Sequence, residues 1–160
     1  MRKRNDFDQF FMEHHASLVR SLTAITGDAE LAKDSVQDAF QRAYLRWGRI
    51  SRYDNPVTWV RRVAINRSRD LIRSDQRRRR NEDRAAPDEA VTDPESESHL
   101  IPLLRQLPER QRVAMVLYYL EGLSVEQVAD QMSLSQGAVK YHLHEGRERL
   151  RPLLEDQENS

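Results

Sequence analysis

The chain has 160 residues, 26 basic against 26 acidic, with 38% apolar, 32% charged, five glycines and no cysteine. That length holds one ordinary domain or two small ones, and the composition fits a water-soluble, helix-rich chain. Disulfides, thiolate nucleophiles and cysteine zinc sites are excluded, no apolar run reaches the ~20 residues of a bilayer crossing, and the start MRKRNDFDQF lacks the apolar stretch of a secretory signal, so a cytoplasmic protein without membrane insertion is expected.

From Asn5 to Thr26 the apolar residues Phe7, Phe10, Phe11, Leu18, Leu22 and Ile25 recur at helical spacing, with Asn5 or Asp6 as cap. Gly27 ends this helix and Asp28 caps the next, whose Leu31, Val36, Ala39, Phe40, Ala43 and Trp47 share a side until Gly48 stops it. Its other face carries Asp34, Gln37, Asp38, Gln41 and Arg42, and the residues alone leave open whether that face meets a partner or water. Asn55-Pro56 then sets the start of a third helix, predicted to run to about Gln76 with Val60, Val63, Ala64, Arg67 and Leu71 in one stripe. Trp59, Arg62, Asn66, Arg69, Asp70 and Arg73 decorate the rest. An aromatic beside arginines and an asparagine suits single-stranded nucleic acid, where stacking contributes about 1–3 kcal/mol per base. Taken alone, a core position for Trp59 is the stronger reading.

The zero net charge hides a segregation. Residues 58–84 carry ten arginines against Asp70, Asp75, Glu82 and Asp83, whereas residues 85–98 hold five acids and no base. The arginine block suits a phosphate backbone, each contact releasing counterions. The run Arg77 to Arg80 is predicted to end the third helix, and residues 81–98, with Pro87 and Asp93-Pro94, read as a flexible acidic tether. The fold class is therefore all-α, with two small helical domains at residues 1–80 and 99–160.

Leu100, Ile101, Leu103, Leu104 and Leu107 make a short apolar helix bent or started by Pro102; Pro108 opens another that ends at Glu121-Gly122. Ser124 with Gln127 three positions on forms a capping box ahead of the stripe Val125, Val128, Ala129 and Met132. The run Met132 to Ser135 breaks the period, and Ser135 caps a helix from Gln136 to Leu150. Leu134, Val139, Leu143 and Leu150 face inward, leaving Gln136, Lys140, Tyr141, His144 and Arg147 outside. This is the pattern of a helix-turn-helix whose second helix enters the major groove. A plain helical bundle with a solvated face shows the same caps and stripes, but the long polar side chains favour DNA. Glu155 to Ser160 reads as a frayed tail.

Four stretches carry a resemblance to a known family. They are Gly27 to Ala32 with Asp34 to Phe40; Trp59 to Asn66; Leu107-Pro108 with Gln111-Arg112; and Glu121 to Ser124 with Gly137 to Lys140. In that order, around a variable tether, the chain resembles the sigma-70 family of bacterial RNA polymerase sigma factors, in particular the small extracytoplasmic-function group. The resemblance implies that Asp34, Gln37, Asp38 and Phe40 grip the clamp helices of core RNA polymerase. It implies that Trp59, Arg62, Val63, Asn66, Arg69 and Arg73, with Arg61, meet the melted minus-10 strand. Ser135, Gln136, Lys140, Tyr141, His144 and Arg147 would then meet the duplex minus-35 element of promoter DNA. An anti-sigma factor is compatible with this, and a monomer is expected when the chain is free. Two departures stand out: Glu145 where arginine is common, paired with Arg149 if it does not turn away, and Gly146 where alanine is usual, expected to weaken the recognition helix.

No catalytic residue, metal or cofactor is needed. His14-His15 and His142-x-His144 lack the spacing that puts two ligands on one helix face, so an enzyme ranks low. The alternative is an autonomous helix-turn-helix repressor or activator, which would bind DNA tightly without polymerase.

Overall fold

The computed structural model describes residues 2–82 and 99–159. Regular structure among these residues is entirely helical, and the chain divides into two compact units, Met1–Val91 and Thr92–Ser160. Most of the expected tether, residues 83–98, lies outside the described residues. None of the helices described is long and apolar enough to cross a membrane.

The first unit is built from α1 (Arg2–Thr26), α2 (Ala29–Leu45), the short α3 (Trp47–Ile50) and α4 (Pro56–Glu82). α1 begins at Arg2, so Asn5 and Asp6 lie within its first turns and do not cap it. Gly27 takes the left-handed conformation that ends α1, at φ 72°, and the Asp28 carboxylate accepts from the amides of Glu30 and Leu31, each at 3.1 Å. α2 packs on both α1 and α4, so its buried arc is wide and takes in Ala32, Ser35, Val36, Ala39, Phe40 and Ala43. Ser35 is fully buried without penalty to its hydroxyl, which donates to the Leu31 carbonyl at 2.8 Å.

Gly48 does not stop the second helix. The break comes at Arg46 (φ −118°, ψ 19°), and Gly48 sits inside α3. The change of direction lets both Trp47 and Ile50 turn inward, Trp47 against Phe7 and Phe10 with ring centroids 5.4 and 5.0 Å apart. The arginine run does not end α4 either: Asn81 and Glu82 belong to that helix. Asp75 lies one turn before Arg78 and Arg79 and pairs with both, offsetting their mutual repulsion. The hydrogen bond from Arg78, with the charge of Arg79, holds the Asp75 carboxyl below the usual carboxylate range.

The second unit contains α5 (Leu100–Arg105), α6 (Glu109–Met115), α7 (Val125–Met132) and α8 (Gln136–Glu158). Arg112 on α6 ties the end of α5 in place: Nε donates to the Leu104 carbonyl at 3.1 Å and Nη2 to Leu107 at 2.9 Å. α6 runs straight into a π-helical turn, Val116–Leu120, closed by the Glu121 amide on the Val116 carbonyl at 3.1 Å. The turn buries Val116 and Leu117 and puts Tyr119 on the surface. α8 continues past Leu150 and through Pro152 to Glu158, so the frayed tail expected from Glu155 is the last turn of a helix.

Gly146 corrects an expectation. It is buried where α8 crosses α6, and a Cβ there would stand 2.9 Å from Met115 Cγ and 3.1 Å from Sδ. The missing methyl makes room for Met115, so the helical propensity lost at this position is exchanged for close packing of α6 on α8.

Candidate functional site

The helix-turn-helix of α7 and α8 is held by reciprocal caps. The Gln127 amide donates to Ser124 Oγ at 3.1 Å, while Gln127 Oε1 accepts from the Ser124 amide at 2.9 Å. Ser133 takes the left-handed conformation at φ 56°, the Leu134 amide reaches back to the Ala129 carbonyl at 3.0 Å, and Ser135 Oγ accepts from the Ala138 amide at 3.1 Å. Two helices are thereby fixed across a turn with the chain's own donors satisfied.

On α8 the two faces separate as the spacing implies. Val139, Leu143 and Leu150 are buried, whereas Gln136, Lys140, Tyr141, His144 and Arg147 are exposed, Tyr141 by 60%. Ser135 is at the surface, but its hydroxyl is already engaged as the cap. A Cβ on Gly137 would approach only Ser135 Oγ, at 4.0 Å, so this glycine leaves open space at the start of the helix. Sequence reasoning missed the partner of Arg147: its Nη1 donates at 3.2 Å to the hydroxyl of Tyr119 on the π turn, 28 residues away. Glu145 and Arg149 form no ion pair among the described residues; Glu148 pairs with Arg151 at 2.9 Å instead.

On α4, the intervals between Trp59, Arg62, Val63, Asn66, Arg69 and Arg73 are three, one, three, three and four residues, which keeps them on one helix face. Arg62, Asn66 and Arg73 are exposed, and Trp59, Val63 and Arg69 half-buried. Arg61 is different. At 3% exposure it lies inside the unit and presents no guanidinium to a phosphate at the surface.

The polar face of α2 exposes Asp34, Gln37 and Gln41. Asp38 is half-buried, its carboxylate 3.2 Å from Arg42 Nε and 3.5 Å from Arg67 Nε, so it also bridges α2 to α4. Phe40 lies beneath that surface rather than on it. It is 2% exposed, with its ring 4.9 Å from Phe11 and 5.9 Å from Phe10, because α2 is covered by neighbours on two sides. Beside the polar face is an open apolar groove of about 600 Å³, lined by Phe7, Phe11, His15, Gln37, Gln41 and Tyr44, with Phe40 at its floor, and edged by Leu45, which is 82% exposed. Its signal was in the sequence: Tyr44 and Leu45 carry apolar character beyond the buried stripe of α2. No group of three metal-ligating side chains occurs among the described residues.

These surfaces can be set beside known proteins. Residues 10–78 match the family model of sigma-70 region 2, and residues 100–150 that of sigma-70 region 4. The RNA polymerase sigma factor CarQ of Myxococcus xanthus is 30% identical over 154 residues, covering 92% of this chain and 88% of the relative. The ECF RNA polymerase sigma factor SigM of Mycobacterium tuberculosis is 31% identical over 159 residues, covering 94% and 78%. Among solved structures, the sigma factor RpoE of Bartonella quintana, in complex with the anti-sigma factor NepR, has the same fold with a TM-score of 0.84 at 22% identity, over 94% of this chain and 97% of that one.

Proposed function

Because the chain belongs to the sigma-70 family of RNA polymerase sigma factors, in its extracytoplasmic-function group, we propose that it binds core RNA polymerase and directs promoter-specific initiation, reading a minus-35 element as duplex and a minus-10 element as separated strand. Its relatives are regulatory initiation factors rather than enzymes. The observation that carries the finer reading is α8, where capped geometry sets Gln136, Lys140, Tyr141 and His144 outward over a buried Val139 and Leu143. Lys140, Tyr141 and His144 reach base edges; Gln136 and Arg147 reach the backbone, where contacts position without specifying sequence.

The α4 face then captures the separated strand. Trp59, Val63 and Asn66 hold an unstacked base and Arg62, Arg69 and Arg73 hold phosphates, which favours the melted state because a ligand shifts an equilibrium only through its differential affinity. Asp34 and Gln37, with Asp38, dock on polymerase. Once docked, each DNA reader can be individually weak, since the second contact becomes effectively intramolecular. Restraint by an anti-sigma protein belongs to the same reading; its support is the fold shared with a sigma factor solved in such a complex.

The test is to add the purified full chain to core polymerase and sequence the transcripts started on genomic DNA. Promoter-selective initiation is the expected result. Tight, specific DNA binding by the chain alone, with no selective initiation, would assign it instead to autonomous helix-turn-helix regulators.

A further inference from the structure

Several cations among the described residues are answered by carboxylates: Arg42 and Arg67 by Asp38, Arg78 and Arg79 by Asp75, and Arg151 by Glu148. In the first unit Arg20, Arg73, Arg77 and Arg80 are not, and neither are six cations that α1 and α3 bring to one end of the unit. Arg2, Lys3 and Arg4 form the first turn of α1, Arg46 caps α3, Arg49 lies within it and Arg52 follows it; all six are exposed. Among the described residues none of these side chains makes a hydrogen bond or an ion pair, although Asp6, Asp8 and Asp54 are near in the chain.

The fold brings the two groups together. The ammonium of Lys3 lies over α3, where a Cβ on Gly48 would stand 3.3 Å from Nζ. Trp47 and Ile50 anchor the buried side of α3, so the arginines around them are left at the surface. The segment is also stiff: the amides of Ser51, Arg52 and Tyr53 bond back to Trp47, Arg49 and Ile50 at 2.9, 3.2 and 3.0 Å. Holding six like charges on one ordered surface without counterions is unfavourable in the free protein and favourable against a polyanion, whose condensed cations are released on contact.

We propose that Arg2, Lys3, Arg4, Arg46, Arg49 and Arg52 form a second phosphate-binding surface, which holds the backbone of the separated DNA strand where it passes beyond the base-reading face of α4. A single strand is favoured over a duplex because Arg52 is followed within a few residues by Pro56 and Trp59, the start of the face assigned above to unstacked bases. The assignment of the strand rests on that reading; the phosphate chemistry does not.

The experiment therefore uses the full chain without polymerase and a 20-nucleotide oligothymidylate, which has no promoter sequence. Binding is followed by fluorescence anisotropy against salt, for wild type and for R2Q/K3Q/R4Q/R46Q/R49Q. Each phosphate contact on a single strand contributes about −0.7 to the slope of log K against log salt, so losing three contacts reduces the slope by about 2 and the affinity about tenfold at moderate salt. The R2K/R4K variant retains both, and an unchanged melting temperature excludes misfolding. Wild-type affinity and slope no greater than those of the five-site variant overturn the proposal. So does a larger loss on a 20-base-pair duplex or on phosphatidylglycerol vesicles than on the single strand. Failure of promoter-selective initiation in the transcript experiment, with this result intact, would remove the sigma reading and leave the phosphate surface standing.

Discussion

Substituting alanine at Gly146 sets two effects of known sign against each other. In a helix interior alanine is favoured over glycine by about 1 kcal/mol. Against this, the new methyl would stand 2.9 Å from Met115 Cγ, well inside the ~3.5–4.0 Å at which carbon atoms attract. Met115 is 7% exposed between α6 and α8, so its side chain moves only by displacing neighbours, and overpacking of this kind costs about 1–3 kcal/mol. The net expectation is a loss of about 1 kcal/mol. Met115→Ala removes the obstacle, so in that background G146A stabilises by about 1 kcal/mol, and the double-mutant cycle shows a coupling of about 2 kcal/mol. Native-state hydrogen exchange at the Val139 and Leu143 amides in the full chain reads these values in the second unit directly. A G146A chain more stable than wild type, or one in which the substitution has the same sign with and without Met115, would refute the packing account.

Four further outcomes follow from the geometry. Ser124→Ala removes one half of the capping box and costs about 1 kcal/mol, seen as faster exchange of the α7 amides with those of the first unit unchanged. Trp59→Ala reduces promoter opening roughly 5- to 150-fold, the range of one base stacked on an aromatic ring, Asn66→Ala reduces it as well, and both leave duplex binding through residues 99–160 intact; equal loss of opening and of duplex binding would contradict the division of labour. Asp34→Asn with Gln37→Ala weakens binding to core polymerase about tenfold with no change in melting temperature. Asp38→Asn, which also breaks the bridge to Arg42 and Arg67, lowers polymerase affinity and stability together, the latter by less than about 1 kcal/mol.

What could be read from the sequence was whatever is decided within one or two turns of chain. Gly27 with Asp28, the Ser124–Gln127 box and the Ser135 cap are local chemistry, and each is found as its residue types require. The errors come where tertiary packing decides. Phe40 and Arg61 enter the functional surfaces only through the family resemblance, and both side chains lie inside, since α2 is covered on two sides and the burial arc of α4 extends round to Arg61. Gly48 looked like a stop, but burying Trp47 and Ile50 requires the break two residues earlier. The run Arg77 to Arg80 reads as a helix end, yet α4 continues to Glu82, with Asp75 answering Arg78 and Arg79 from one turn back. Gly146 looked like a weakness because Met115, which explains it, is 31 residues away. The exposed face of α8 is legible since a single helix carries it; the Arg147 to Tyr119 bond is not, since it joins two elements.

The π turn at Val116–Leu120 has its own consequence for how this chain can change length. Such a turn is an α-helix carrying one surplus residue. Deleting one position there, Tyr118 for instance, lets the backbone relax into ordinary α geometry while its flanks keep their places. The same deletion inside α7 would swing everything downstream by about 100° and turn the outward side chains of α8 away from any groove.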